Sequence, residues 1–211
     1  MYLTTFGVES RKEVMNGNSL RLSHPAYHPV QSAHFGVWLR CRILLWIVVR
    51  ATLYRFCPNP LRGARRLLLR AFGAKIASTV SLNNRARIDF PWNLTMSAFA
   101  SLGEYSWIYA LDCISIGEYA CVGQHVHLLT GTHDYNDPSF PLVTRSLMVG
   151  HGAWIADRAT VLPGCHVGDF TVIGAGAVVA REMPAGMVCA GNPCVVIKAR
   201  HLPQPVEPGG L

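Results

Sequence analysis

Val149–Pro184 reads VGHGAW, IADRAT, VLPGCH, VGDFTV, IGAGAV, VAREMP, six units of six residues without a break. An aliphatic residue opens each unit, Gly or Ala takes the second place in five of the six, and a small residue takes the fifth place in five of the six. A six-residue period belongs to a parallel β-helix, in which each unit is a short strand plus a turn and three units close one coil. On this reading the opener fills the solenoid interior and the small fifth residue fits the tight corner. Glycine is expected after the opener because the turn favours backbone angles that a Cβ hinders.

The register runs upstream once insertions are allowed. Units open at Ile76, Leu82, Ile88, Met96, Leu102, Ile108, Ile116, Val122 and Leu128, which with the six above makes fifteen aliphatic openers and about five coils. The spacing leaves six at three places: Ile88 to Met96, Ile108 to Ile116 and Leu128 to Val149. Each falls in the third unit of its coil, so all the extra chain lines one edge of the prism. A rigid scaffold that tolerates added length on one edge alone presents that edge for use.

The 211 residues suit one domain, and 50% apolar content argues against disorder. Seven scattered cysteines with no CxxC pair support neither a disulfide framework nor a zinc site, and read as reduced cytosolic thiols. The net charge of +7 is unevenly placed, with Arg62, Arg65, Arg66, Arg70 and Lys75 clustered just before the repeats. No nucleic-acid motif and no basic stripe interleaved with aromatics accompanies it, so a solvated or membrane-facing helix surface is expected there and no nucleic-acid partner.

Residues 1–34 are polar and aperiodic, a flexible arm. The segment 35–72 reads as helical: Phe35–Phe56 is strongly apolar, but Arg40, Arg42 and Arg50 leave Ile43–Val49 as its long uncharged run, far short of the ~20 residues of a span. A helix packed on the solenoid or lying on a membrane surface is expected. After the Pro58–Pro60 break, Leu61–Phe72 reads as a second helix with leucines on one face and arginines on the other. One or both helices should cover the first coil, whose bare end would invite aggregation. The β-helix then occupies 73–185 with a loop at 134–148, and 186–211 is a terminal segment whose QPVEPGGL end reads as unstructured.

His133 closes its repeat at the root of the long insertion HDYNDPSFPLVTRSL, where its side chain should point outward. A neutral imidazole there can take a proton from a hydroxyl or amine near neutral pH, the work of a general base. His125, His127, His151 and His166 read as solvated surface.

LLTGTHDYNDPSFPL, FPWNL, AWIADRATVLP, IGAGAVV and AGNPCVVIK resemble the hexapeptide-repeat acyltransferases, most of all the sugar O-acetyltransferases of colanic acid and other exopolysaccharide biosynthesis. The resemblance spans roughly 35–200, and FPWNL, TGTHDY and AGNP together are its specific part. It implies a left-handed parallel β-helix, a homotrimer with sites between neighbouring subunits, and acetyl-CoA as co-substrate without a metal. The hand comes from the resemblance alone, since left-handed crossings run against the usual rule. It places the base on His133, the cofactor channel on Trp154, pantetheine contacts on the backbone of Ala175 and Ala180, and CoA phosphate contacts on Arg181 and Lys198. A small-residue groove with a basic end suits a thin chain that carries phosphates. The base would remove a sugar hydroxyl proton as the oxygen attacks the thioester carbonyl, with a backbone N–H facing the oxyanion.

The pattern is also broken. Ala110 stands where many relatives carry Asn, Gly is replaced at Ala77, Ser97 and Ala156, and Val195 replaces a common basic residue. Competing readings are an antibiotic or serine acceptor, a non-catalytic scaffold, and a γ-type carbonic anhydrase; the missing HxxxxH pair weighs against the last. A cytoplasmic enzyme, with possible contact to the inner membrane face through its N-terminal helices, completes the expectation.

Overall fold

The computed structural model describes residues 36–58 and 61–202; the polar arm and the QPVEPGGL end lie outside them. Three parallel sheets form a solenoid. The first sheet stacks β1 (Lys75–Ile76), β4 (Leu94–Met96), β7 (Ile114–Ile116), β12 (Leu147–Val149) and β15 (His166–Val167). The second stacks β2 (Ser81–Leu82), β5 (Ser101–Leu102), β8 (Cys121–Val122), β13 (Trp154–Ile155), β16 (Val172–Ile173) and β18 (Met187–Ala190), with β19 (Val195–Ala199) antiparallel on the last. The third stacks β3 (Arg87–Asp89), β6 (Trp107–Tyr109), β9 (His127–Leu129), β14 (Thr160–Val161) and β17 (Val178–Val179). Five coils are complete. An unfinished sixth follows, through a bridge of Met183 to Val167, the pairing of β18 with β16, and Cys194 N–H donated to Val178 O.

All fifteen expected openers point inward, none more than 5% exposed. They stack on their own kind from coil to coil, as in Ile88 on Ile108 on Leu128. The fifth-place residues, including Ala100, Ser106, Ala120, Ala153, Ala159 and Ala177, are buried at the corners, where only a short side chain fits between strands that change direction.

The second-place glycines have a different cause from the one expected. The left-handed backbone falls in the fourth place of the unit, where it is borne by Phe99, Tyr105, Tyr119, His125, Arg158 and Phe170 as well as by Gly152, Gly164 and Gly176. Second-place glycines answer to the neighbouring coil: a Cβ on Gly103 would lie 2.6 Å from the Gly123 carbonyl carbon, and one on Gly168 would lie 2.4 Å from the Ala185 nitrogen. Close approach, and not turn geometry, selects them.

Neighbouring coils are tied by N–H to carbonyl bonds that run both ways, forward as in Ser81 to Ala100 and Ser101 to Ala120, and back as in Thr130 to Tyr109 and Met183 to His166. The first coil has no preceding neighbour, so the carbonyls it turns toward the N-terminus need donors from elsewhere. The helical segment supplies them. From α2 (Arg62–Ala71), Arg65 donates to Leu82 O at 2.8 Å, Arg66 to Val80 O at 3.0 Å and Arg70 Nε to Ile76 O at 2.8 Å. From α1 (Val37–Val49) and the wider π-helical turn Arg50–Tyr54 that continues it, Trp46 donates to Ile88 O at 2.7 Å and Tyr54 to Asn83 O at 3.2 Å. Within the arginine cluster, Arg65 and Arg66 thus turn to the first coil and not to the solvent expected from their charge, while Arg70 and Lys75 stay exposed. Arg65 is fully buried while Leu67 faces out, 66% exposed. Burying a guanidinium is tolerable here because each carbonyl it meets would otherwise lack a donor.

Candidate active site

The three irregular spacings line the edge between the third and first sheets, hereafter the insertion edge. The longest becomes an antiparallel hairpin of β10 (Gly131–His133) and β11 (Leu142–Thr144), with His133 opposite Leu142. Its root is fixed by Thr130, which is buried, donates to Tyr109 O at 2.8 Å and accepts from Asp112 N–H at 3.0 Å. Gly131 beside it leaves room for the Leu111 side chain, whose terminal methyl would lie 2.6 Å from a Cβ there. Two side-chain turns fold the tip, Asp134 accepting from Asn136 N–H at 3.0 Å and Asp137 from both Ser139 N–H and its hydroxyl at 2.8 Å. The two Ser139 donors hold the Asp137 carboxyl below its ordinary range.

This turn brings Phe140, itself in left-handed backbone, back onto His133. The two rings stack at 4.4 Å and 6°. His133 Nδ1 lies 2.9 Å from Phe140 O. A carbonyl only accepts, so Nδ1 carries the proton and the neutral ring keeps its lone pair on Nε2. Asp134 plays no part in orienting the ring, since its carboxylate turns to Asn136. The imidazole is exposed, so a substrate can reach Nε2.

The other sequence-predicted positions do not join His133 within one chain. Trp154, 47% exposed, sits on β13 between Cys121 and Val172, on the sheet opposite the insertion edge in a triangular section. Ala175 is exposed in the turn from the second to the third sheet. Ala180 and the exposed Arg181 follow β17 onto the insertion edge, and Lys198 is exposed on β19, opposite Val188. Ala110 is fully buried, and its carbonyl accepts from Asn93 of the FPWNL segment at 2.9 Å. His127 meets Trp107 edge to face and His125 lies 3.4 Å from Asp157, both partly buried. Among the described residues no three His, Cys, Asp or Glu side chains group as metal ligands.

One cluster escaped the sequence reading. Asp89, almost buried, is paired with Arg50 of the π-helical turn and accepts from Arg87 Nε at 2.8 Å and Trp107 Nε1 at 2.7 Å. The signal was present: Asp89 and Tyr109 occupy second places where Gly or Ala is usual. An intervening two-residue insertion disguised them.

The family model for bacterial transferase hexapeptide (six repeats) matches residues 148–181. The acetyltransferase WcaF of Escherichia coli, named for colanic acid biosynthesis, is 38% identical over 159 residues, covering 75% of this chain and 87% of its own length. This chain belongs to the hexapeptide-repeat acetyltransferases. Its fold is shared with other hexapeptide-repeat acetyltransferases of known structure. A maltose O-acetyltransferase from Clostridium difficile superposes with a TM-score of 0.69 at 24% identity, over 79% of this chain and 90% of that one. A galactoside acetyltransferase in complex with coenzyme A gives 0.72 at 19% identity, over 80% and 85% of the two chains. In this hexapeptide-repeat acetyltransferase the matched residues 148–181 cover only coils four and five, whereas His133 stands on the hairpin before them.

Proposed function

We propose that this enzyme transfers an acetyl group from acetyl-CoA to a sugar hydroxyl during synthesis of an exopolysaccharide or a related glycan, with His133 as general base. The observation that carries the reading is the fixed tautomer of His133, Nδ1–H on the Phe140 carbonyl and Nε2 free for a proton. The step balances simply: Nε2 takes the hydroxyl proton, the oxygen bonds to the acetyl carbonyl carbon, the C–S bond breaks, and CoA leaves as thiolate to receive a proton. Trp154, the backbone of Ala175 and Ala180, and the cations Arg181 and Lys198 are proposed as the cofactor contacts. A galactoside acetyltransferase of the same fold in complex with coenzyme A supports acetyl-CoA as the co-substrate. Because Trp154 and His133 lie on opposite sides of the prism, a site that uses both needs a second copy of the chain, and a closed threefold ring supplies one at each of three interfaces. The names of WcaF and of the maltose and galactoside enzymes support a sugar acceptor.

We further place the enzyme at the inner face of the membrane. Among the described residues no helix is long and apolar enough to cross. Yet α1 buries only Trp46 and turns Val37, Trp38, Leu44, Leu45 and Val48 outward, with Arg40 exposed among them. Apolar and tryptophan side chains with interspersed arginine suit the lipid interface. The test of the transfer itself is CoA thiol release from acetyl-CoA with added glycosides, nucleotide sugars and lipid-linked oligosaccharides, each against antibiotic and serine acceptors. Release confined to the latter two would overturn the sugar assignment.

A further inference from the structure

The seam between α1 and the insertion edge holds a cavity of about 180 Å³, lined by Ile47, Arg50, Asp89, Phe90, Trp92 and Tyr109 among others. It is small beside the ~300 Å³ and more of drug-sized sites, and its walls are aromatic with a carboxylate at one end. Phe90 meets Trp92 at 5.7 Å and Tyr109 at 5.8 Å, both edge to face, so three rings present differently tilted surfaces. Such walls fit the C–H faces of a pyranose, while hydroxyls at the ring margin need directed polar partners. Asp89 offers one: Oδ2 takes two donors but Oδ1 takes Arg50 alone, which leaves it a lone pair. Tyr109 offers the other, since its hydroxyl has no hydrogen-bond partner among the described residues, and burial together with nearby Asp89 pushes its pKa up and keeps it a donor.

Tyr109 also links this cavity to His133. Asp89, Tyr109 and Leu129 occupy one register row in successive coils, and the Tyr109 ring lies 3.2 Å from the Cβ position of Gly131, the first residue of β10. The row from Asp89 to the coil that launches β10 spans two strand spacings, roughly 10 Å.

We propose that this cavity is an acceptor subsite for a pyranose ring next to the one acetylated, so that the enzyme takes glycans of two or more rings in preference to monosaccharides. The proposal rests on the sugar-acetylating reading and adds to it the length of the acceptor. The experiment compares methyl glucosides and galactosides of one, two and three rings. Ile47→Trp fills the cavity from its helical wall, Tyr109→Phe removes one hydroxyl, and Leu44→Trp on the outward face of α1 is the control. Expected in the wild type is a kcat/KM at least tenfold higher for two rings than for one. Ile47→Trp should abolish that advantage through acceptor KM, Tyr109→Phe should reduce it severalfold, and KM for acetyl-CoA should move less than twofold. Equal use of one and two rings by the wild type, or a length preference that survives Ile47→Trp, overturns the proposal. Direct binding of the same glycosides without acetyl-CoA, read by tryptophan fluorescence, separates it from the transfer reading. Binding that strengthens with a second ring and is lost in Ile47→Trp supports the subsite even if no acetyl group moves, whereas no binding to the wild type overturns it.

Discussion

His133 owes its state to a neighbour seven residues away, the Phe140 carbonyl, and its ring plane to the Phe140 side chain. His133→Ala should lower turnover by about two to four orders of magnitude, with the protein still folded because the side chain lies outside the core. Turnover near that of the wild type would remove the base from this position, and His127→Ala, whose ring leans on Trp107, is the comparison expected to do little. The sequence marks His133 plainly, as the last residue before the longest break in the period. It is silent on Phe140, because the contact depends on a left-handed residue at the end of two Asx turns, a conformation with no periodic signature. Asp89 was missed for a related reason: its partners Arg50 and Trp107 come from a helix and another coil, and no linear spacing records them.

At the scale of elements the repeat was legible because one physical demand recurs in every unit, an aliphatic side chain in a closed interior. The helical cap was legible only as apolar and basic segments. Amphipathic reasoning sends arginine to solvent, but the first coil presents carbonyls without donors, and that local need prevails over the cost of burial for Arg65. Arg65→Met should therefore destabilise the protein by about 2–4 kcal/mol, since it strips a buried carbonyl of a charged donor. Arg66→Met, at a partly buried contact, should cost less. Urea unfolding of both variants checks the order, and equal small losses would mean that water serves the Leu82 carbonyl as well as the guanidinium does. The third and first sheets carry every insertion, which explains why the corner glycines Gly103, Gly123, Gly117 and Gly150 all lie on the other two edges, where coils stack without interruption.

For the whole molecule, burial pushes up the thiols of Cys165, Cys189 and Cys194, the last to about 11. An unfolded thiol ionises around 8.5, so between about pH 8.5 and about pH 11 the unfolded chain releases protons that the folded chain retains. Stability is then fully present below that window and falls as pH rises through it. The urea midpoint should decline across this range, and less steeply in Cys194→Ala; an unchanged slope would exclude the thiol as a source. Membrane attachment through α1 predicts salt-sensitive flotation with anionic liposomes, since each basic residue near such a surface contributes about 1 kcal/mol. Protein that stays with the soluble fraction at every ionic strength would leave α1 as a cap alone. The two ends of the solenoid, finally, are closed by different means. Donor side chains occupy the carbonyls of the first coil, and a reversed strand, β19, lies against the last strand of the second sheet. A repeat whose every layer matches the next would otherwise be free to stack head to tail on further copies of itself. The caps set a finite length, and without them the same ladder that builds the enzyme would build a filament.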